Sequence, residues 1–226
     1  MNWDDKGFLI SKTKYNENSI IAEFFTMNYG KVSGILFGAT SRKIKNYLQI
    51  GNNFHINYTF KNESKIGYFK IEIIKAQTPL YFDNKKKLLC LNTAINLVKI
   101  LTADLQSNKN IYDLINNFFE ILPLNNWIKE YIYWELKLLK QLGYDLELKS
   151  LVNEEKKDNK IRYYVKSQNG IKTIPNFLIN HNTKDVNESD LINGLNLVSD
   201  YLDKSVFKPN NINCPNSRTD FINILK

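Results

Sequence analysis

The residues best suited to chemistry in this chain are cations that lie beside rings and turns in its first third. Ammonium and guanidinium groups neutralise phosphates and release counterions, and an aromatic ring stacks on an unpaired base. The set therefore predicts a surface that binds single-stranded nucleic acid. The alternative is an ordinary solvated loop, and the ring of Tyr47 could equally be a core residue. The members of the set are Lys31, Arg42, Lys43, Lys45, the ring of Tyr47, and further along Lys61 and Lys65.

Catalytic constellations are missing from the sequence. There is no Gly-rich phosphate loop followed by Lys and Ser or Thr, no HExxH pair and no nucleophile elbow. His55 and His181 are isolated, and an isolated histidine is more often structural or solvated than a general base. The pair Glu154 and Glu155 lies in a Lys-rich run, which is typical of a solvated charge cluster. We expect a protein that is not an enzyme and has no cofactor; a nuclease would need clustered acids that hold a metal.

The positive charge is concentrated in the first third of the chain. The 226 residues carry a formal net charge of +8, and residues 1–80 hold 11 Lys and Arg against 6 Asp and Glu, a net +5. A local positive field attracts polyanions, so we expect nucleic acid or an acidic peptide as the partner. A charge that serves solubility alone is the alternative.

Cysteine usage and hydropathy indicate the cellular compartment. Cys90 and Cys214 are the only cysteines and are far apart, which supports neither a disulfide framework nor a zinc ribbon. The first residues lack the apolar core of a signal peptide, and no stretch stays uncharged for the ~20 residues that a membrane span needs. We therefore expect a cytoplasmic protein.

Five strand-like runs are predicted in residues 1–80. The fourth alternates cleanly, with Phe54, Ile56, Tyr58 and Phe60 on one face. Short strands at this spacing favour closure into a small barrel, and a five-stranded OB-fold is the economical choice. The predicted strands are 8–15, 19–26, 31–38, 53–60 and 66–75.

The remainder, residues 81–226, is predicted to be a mainly helical domain with a small β-hairpin. Apolar residues recur at helical spacing in 86–106, 111–122 and 127–142, where Asn126 is placed to begin the third helix and Gly143 to end it. The polar run 153–160 is predicted to be a loop, and 161–174 a hairpin turning at Asn-Gly. Ser189 is predicted to cap a further helix, and Pro215 to precede the last one.

The third helix suggests a second binding surface. Trp127 and Trp134 form an aromatic stripe, and such a stripe is more often core than a ligand site. If part of it is open, it would take an apolar residue of an acidic peptide while nearby cations pair with carboxylates. Those cations are Lys129, Lys137 and Lys140.

Several short motifs, in order along the chain, resemble those of the RecO family of bacterial recombination mediators. Tyr-Asn-Glu-Asn-Ser at 15–19 and Gly-Ala-Thr-Ser-Arg-Lys at 38–43 resemble its turn and basic segments. Leu-Gln-Ile-Gly at 48–51 resembles its Leu-Gln-Pro-Gly, with Ile50 in place of Pro, and Leu-Gly-Tyr at 142–144 is similar to its later signature. The agreement spans nearly the whole chain.

The resemblance implies an N-terminal OB-fold, a helical domain, and work without catalysis. It implies binding of single-stranded DNA, contact with RecR and with the acidic tail of the single-stranded-DNA-binding protein SSB, loading of RecA, and strand annealing. By motif position, Lys31 and the 42–45 segment would contact DNA, and the helical domain would bind the SSB tail. Many relatives carry a zinc module after the third helix, but residues 150–170 contain no Cys, so we expect no zinc here. A protein adaptor without DNA affinity and an OB-fold RNA-binding protein are the alternatives.

Overall fold

The computed structural model describes residues 2–60, 66–157, 160–167, 170–181, 183 and 185–226. The chain divides into two units, which we call the barrel unit and the helical unit. The barrel unit comprises Met1–Leu122 and Pro215–Phe221, and the helical unit comprises Pro123–Cys214 and Ile222–Lys226.

The barrel unit is built on five strands: β1 (Asn2–Lys14), β2 (Ser19–Thr26), β3 (Gly30–Phe37), β4 (Asn53–Thr59) and β5 (Gly67–Lys75). They form a closed barrel in the order β1-β2-β3-β5-β4, with β1 paired to β4. All neighbouring pairs are antiparallel except β3 and β5, which are parallel. Closure of this kind pairs the strand edges within the sheet.

Alternating side chains fill the barrel. Phe54, Ile56 and Tyr58 of β4 are at most 9% exposed, as their spacing predicts. Phe24 meets Phe54 and Phe69 edge-on, with ring centroids 5.7 and 5.1 Å apart. Edge-to-face pairs stabilise a core beyond the area that they bury. The packed interior fixes the positions of the strand ends, and the candidate binding residues described below lie at one of these ends.

The first strand begins well before the predicted start at residue 8. Its opening residues are charged, which hides the strand pattern in the sequence, yet Trp3 and Asp5 are buried while Asp4 and Lys6 are exposed. Asp5 is tolerated inside because its carboxylate accepts hydrogen bonds from the backbone N–H and the side-chain amide of Asn28, at 2.8 and 2.9 Å. Backbone pairing with β4, which starts at Asn2 opposite Thr59, therefore extends the strand to residues whose sequence shows no strand pattern.

Helices complete the barrel unit. The hydroxyl of Thr93 donates to the backbone carbonyl of Ser217 at 2.9 Å, which ties the start of the C-terminal helix to this unit. The other elements are α1 (Arg42–Tyr47), a 3₁₀ turn (Thr78–Tyr81), α2 (Lys85–Leu101) and α3 (Lys109–Ile121).

The helical unit combines helices with a three-stranded antiparallel sheet in the order β6-β7-β8, formed by β6 (Asn153–Lys157), β7 (Lys160–Ser167) and β8 (Gly170–Ile174). The predicted fold class is confirmed: an α+β chain with a five-stranded OB-type barrel followed by a mainly helical region with a small β-insertion. The helices are α4 (Trp127–Gln141), α5 (Leu148–Leu151), α6 (Asn176–Ile179), α7 (Glu188–Tyr201) with a π turn (Leu202–Phe207) and a 3₁₀ turn (Lys208–Asn210), and α8 (Asn216–Leu225), which begins in the barrel unit.

Two local predictions in the helical unit are wrong. The stretch 153–160, predicted to be a loop, contains β6, which pairs with β7 from Asn153 opposite Tyr164 onwards. Residues 153–156 are all polar and exposed, so the sequence shows no alternation there and only the backbone pairing reveals the strand. The N-cap residue of α7 is Asn187, not Ser189. Its side-chain oxygen accepts from the N–H of Asp190 at 2.8 Å, and the Asp190 carboxylate accepts from the N–H of Asn187, which forms a capping box.

The predicted hairpin at 161–174 is confirmed by the pairing of β7 with β8.

The end of α4 follows the prediction. Gly143 has φ +83°, a left-handed conformation that glycine adopts without strain. Its N–H donates to the carbonyl of Lys140 at 3.1 Å, and the N–H of Tyr144 donates to the carbonyl of Leu139 at 2.9 Å. These two hydrogen bonds form the Schellman motif that ends the helix. At the start of the helix, Asn126 occupies the cap position but donates its amide to Glu130 at 2.9 Å, so it makes no capping bond to a helix N–H.

None of the helices in the described residues is long and apolar enough to cross a membrane.

Candidate nucleic-acid interface

A basic helical turn projects from one end of the barrel. The chain leaves β3 through Gly38, whose φ of +67° places it in the left-handed region. The N–H of Ala39 then donates to the carbonyl of Asn18 at 3.2 Å, which ties this segment to the turn between β1 and β2. In α1 the side chain of Ile44 packs against the barrel core. The opposite side of this short helix is exposed and carries Arg42, Lys43 and Lys45.

A groove of about 290 Å³ lies beside α1, and we call it the barrel-end groove. Two of its apolar lining residues, Ala39 and Leu48, are only 4% and 3% exposed, so they form its floor. Lys12, Lys14 and Lys45 are exposed and bring three ammonium groups to the groove. The full lining is Lys12, Thr13, Lys14, Ile20, Ala39, Thr40, Lys45 and Leu48.

Three cations that line this groove and two more on α1 have no acidic partner among the described residues. The ammonium of Lys12 donates to the carbonyl of Leu48 at 2.6 Å. Partial burial, together with the neighbouring charge of Lys45, lowers the pKa of Lys12 from its ordinary value. Across the ranges that the structure describes, no Asp or Glu forms an ion pair with the five cations, so their positive potential is uncompensated there. These five are Lys12, Lys14, Arg42, Lys43 and Lys45.

Two exposed aromatic rings lie at the same end of the barrel. The N–H of Tyr15 donates to the carbonyl of Ser19 at 3.0 Å, and Ser19 is paired with Phe37 across β2 and β3. The residues Tyr15 and Phe37 are both 56% exposed. Phe37 also stacks on Tyr68, with centroids 5.3 Å apart and planes 19° apart. Exposed rings beside uncompensated cations are the combination on which single-stranded nucleic acids bind.

Lys31 lies elsewhere on the barrel. It is at the start of β3, six residue steps from Phe37, which corresponds to roughly 20 Å along the strand. Its side chain is 14% exposed, and its ammonium is 3.0 Å from Asp104 Oδ1 and donates to the carbonyl of Lys99 at 2.9 Å. The structure therefore does not bring Lys31 to the barrel-end groove.

The other predicted members of the site differ in position. Tyr47 is half-buried, packs against the barrel core and has its ring centroid 6.1 Å from that of Phe54. It sits at the end of the basic helix, but its ring belongs in part to the core. Lys61 and Lys65 lie outside the described residues.

In the helical unit, a second lysine-rich cavity lies beside α4, and we call it the lysine pocket. It has a volume of about 560 Å³, and two of the three predicted partner-binding cations, Lys137 and Lys140, line it. Lys149 adds a third ammonium, while Asp145 and Glu147 add carboxylates. Its other lining residues are Tyr133, Leu136, Leu146, Leu148, Ser150, Leu178 and His181.

Charge in the lysine pocket is partly compensated within the protein. The ammonium of Lys140 is 2.9 Å from Asp145 Oδ2, and this hydrogen bond raises the pKa of Lys140. The hydroxyl of Tyr133 donates to the carbonyl of Phe177 at 2.7 Å, and burial raises the pKa of Tyr133 to about 12. The tyrosine is therefore neutral at physiological pH and contributes a ring and a dipole to the wall.

The third predicted cation lies in the neighbouring cavity. Lys129 lines a space of about 570 Å³ and donates to the carbonyl of Thr183 at 2.9 Å. Its ammonium is 5.8 Å from the centroid of the Tyr133 ring, and that ring also lines the lysine pocket. Of the two stripe tryptophans, Trp134 is 3% exposed and lies in the core, whereas Trp127 is half-buried.

Sequence reasoning missed four residues at the end of the barrel. Lys12 and Lys14 are two apart near the end of a strand, and this spacing places both on one face of the sheet. The spacing of these two lysines therefore indicates, from the sequence alone, that both contribute to one charged surface. Tyr15 and Phe37 had no such signal, since a single ring next to a turn is as often buried as exposed.

Comparisons with known proteins place this chain in a family. Residues 1–77 match the family model "Recombination protein O N terminal", and residues 84–211 match "Recombination protein O C terminal". The chain belongs to the RecO family. It is 32% identical to "DNA repair protein RecO" of Rickettsia canadensis over 199 residues, which cover 81% of each chain. It is 25% identical to "DNA repair protein RecO" of Bartonella tribocorum, over all of this chain and 96% of that one.

Family membership makes this a DNA repair protein of bacterial type. Many relatives carry a zinc module, and the residues of this chain can be compared with what zinc requires. Residues 150–174 contain neither Cys nor His, so the donor set does not fit zinc. The sheet β6-β7-β8 is held by backbone pairing and by two buried side chains, Tyr163 and Ile174, which are 9% and 3% exposed. No group of three or more His, Cys, Asp and Glu side chains suited to a metal ion occurs in the described part of the chain.

Proposed function

We propose that this protein binds single-stranded DNA at the barrel-end groove and acts in DNA repair and recombination as a mediator, without catalysing a reaction. The observation that carries the proposal is an apolar groove lined by three lysines that form no ion pair in the described residues, with two further such cations on α1 and two exposed aromatic residues at the same end of the barrel. Cations that are not paired with a carboxylate are available to phosphates, whose binding releases counterions. Exposed rings are available to unpaired bases.

The mechanism that follows is charge screening. Two DNA strands repel each other through their phosphates, and a protein that neutralises part of that charge lets them approach. Because the contacts are to phosphates and base faces, the bases keep their hydrogen-bonding edges free for a complementary strand. Strand annealing and the loading of RecA, which family membership supports, are consistent with such binding.

The helical unit is proposed to bind a protein partner. The lysine pocket combines an apolar wall with ammonium groups, and this combination suits an apolar residue preceded by acids, such as the acidic tail of SSB. Contact with RecR is supported by family membership alone. We further propose that residues 1–80 bind nucleic acid, that residues 81–226 bind protein partners, and that the protein acts in the bacterial cytoplasm.

The test is fluorescence anisotropy with a labelled single-stranded oligonucleotide at several salt concentrations. If about five cations contact phosphates, the slope of log affinity against log salt is near −3.5, so affinity falls on the order of 100-fold from about 50 to about 200 mM salt. The joint variant Arg42→Ala/Lys43→Ala/Lys45→Ala is expected to reduce the slope by about 2. Binding that does not respond to salt would contradict the proposal.

A matched control removes the same charge elsewhere in the barrel unit. Lys85, Lys86 and Lys109 are exposed, and their joint change to Ala is expected to leave the slope close to that of the wild type. An equal reduction in both variants would point to net charge in place of a defined site. Competition with RNA of the same sequence addresses the RNA-binding alternative, and an absence of DNA affinity would favour the adaptor.

A further inference from the structure

The barrel-end groove has a composition that phosphate binding alone does not require. A phosphate needs cations and hydrogen-bond donors, yet the floor of this groove is made of aliphatic side chains, Ile20, Ala39 and Leu48. The lysines lie around it and are exposed. An occupant that matches both parts has a flat apolar face and an anionic group a short distance away.

The size of the groove limits the occupant. Its volume of about 290 Å³ is at the lower end of ligand pockets, which hold roughly 300–1,000 Å³. A groove of this size admits one ring system with its attached sugar and excludes a base pair. We propose that it holds a single unstacked nucleotide of a DNA strand, with the base on the aliphatic floor and the adjoining phosphate at Lys12 and Lys45. This proposal rests on the proposed function and refines it.

The geometry of Lys12 supports this assignment. An ammonium group has three N–H donors, and the carbonyl of Leu48 accepts one of them, which holds the group next to the floor. The neighbouring charge of Lys45 repels it, and a phosphate between the two ammonium groups relieves that repulsion. The base and the phosphate of one nucleotide therefore meet complementary groups at the same time.

A site for one unstacked nucleotide favours single-stranded DNA over duplex DNA. Bases in a duplex are stacked and paired, so removing one from the stack costs free energy, whereas a single strand presents its bases at little cost. The groove thus discriminates single strands from duplex, while the cations around it attract both. Tyr15 and Phe37 lie at the same end of the barrel and can stack on neighbouring bases, but each lies outside the groove.

The test compares two labelled oligonucleotides that have the same number of phosphates, one with all its bases and one in which every residue is abasic. The variant Thr13→Leu/Thr40→Leu fills the mouth of the groove without changing any charge, and both positions are exposed, so the fold is expected to persist. The wild type is expected to bind the strand with bases more tightly than the abasic strand. In the filled variant this ratio is expected to fall roughly fivefold or more, with an unchanged salt slope.

Two controls separate the possible failures. Thr173→Leu/Thr219→Leu makes the same change at exposed threonines outside the groove and is expected to keep the wild-type ratio. Tyr15→Ala/Phe37→Ala removes the rings and is expected to retain the part of the ratio that the groove supplies. If the filled variant keeps the full ratio, the single-nucleotide site is overturned while DNA binding stands. If the wild type binds neither strand, the proposed function itself fails.

A second measurement does not depend on the filled variant. A strand with one 2-aminopurine among thymines is expected to brighten on binding the wild type, because the groove floor lacks aromatic rings and the analogue leaves the base stack there. Unchanged emission at every position of the analogue along a short strand would overturn the proposal.

Discussion

The barrel-end groove and the lysine pocket are both apolar cavities lined by lysines, but they differ in how their charge is compensated. The three lysines of the groove and the two further cations of α1 form no ion pair within the described residues, and one of the groove lysines, Lys12, has a lowered pKa. In the lysine pocket, Lys140 is paired with Asp145, and two carboxylates share the lining with three ammonium groups. The first surface has an excess of charge and the second is nearly balanced.

This difference separates two kinds of recognition. Uncompensated charge attracts a polyanion at long range, so the groove suits a polymer that is held by its repeating phosphates. A ligand that binds Lys140 must compete with Asp145, so charge gives less net affinity in this pocket than at the groove. An acidic peptide must therefore also place an apolar residue on the wall, which makes the pocket selective.

The largest effect is expected from Phe54→Ala, which tests whether the two surfaces are independent. Phe54 is fully buried in the barrel, and its truncation is expected to cost about 3–5 kcal/mol of unfolding free energy. Because Phe54 lies in the barrel unit, DNA affinity should fall under mild denaturant while binding of an SSB C-terminal peptide persists. Urea denaturation followed by segment-resolved hydrogen exchange measures both.

The matched control is Phe177→Ala, which removes an equally buried ring from the helical unit. It is expected to give the reverse pattern, with peptide binding lost first. If each variant abolishes both activities together, the two units unfold as one cooperative body and the comparison fails.

The next effect concerns the lysine pocket. The double variant Lys137→Ala/Lys140→Ala is expected to weaken binding of a labelled SSB C-terminal peptide about tenfold, since charge-assisted hydrogen bonds to its carboxylates are lost. Its affinity for single-stranded DNA should change less than about twofold. Lys156→Ala/Lys204→Ala removes two exposed cations of the same unit and serves as the control. Equal losses in the two variants would show that the pocket is not the peptide site.

The smallest effect is expected at Lys31. Because its ammonium is already bonded to Asp104 and to the carbonyl of Lys99, Lys31→Ala should lower the unfolding free energy by about 1 kcal/mol. DNA affinity should stay within about twofold of the wild type, whereas Lys45→Ala should reduce it several-fold. Anisotropy and urea denaturation together measure this, and equal losses of affinity for the two variants would extend the interface to Lys31.

The sequence was sufficient for the elements whose pattern is local. The alternation of Phe54, Ile56 and Tyr58 identified β4, and the glycine at 143 identified the end of α4. It failed where distant partners decide the structure. The start of β1 is a strand because β4 pairs with it from Asn2 opposite Thr59, and β6 is a strand because β7 pairs with it.

The candidate site divides in the same way. The exposure of Arg42, Lys43 and Lys45 agrees with the basic segment that the sequence predicts after β3, whereas the short helix α1 that carries them is not predicted. The spacing of Lys12 and Lys14 places both on one face of β1, but the contact of Lys12 with Leu48 depends on the fold. The pairing of Lys31 with Asp104 is equally long-range, and a cation that looks free in the sequence is engaged in the structure.

The sheet β6-β7-β8 has a consequence for the conditions under which the protein keeps its shape. Oxidants convert cysteine thiolates to forms that no longer hold zinc, so a thiolate-bound module loosens under the same stress that breaks DNA. Here the corresponding segment depends on backbone pairing and the burial of Tyr163 and Ile174, neither of which peroxide or a chelator attacks. Its integrity is therefore uncoupled from the supply of metal and from the redox state of the cell.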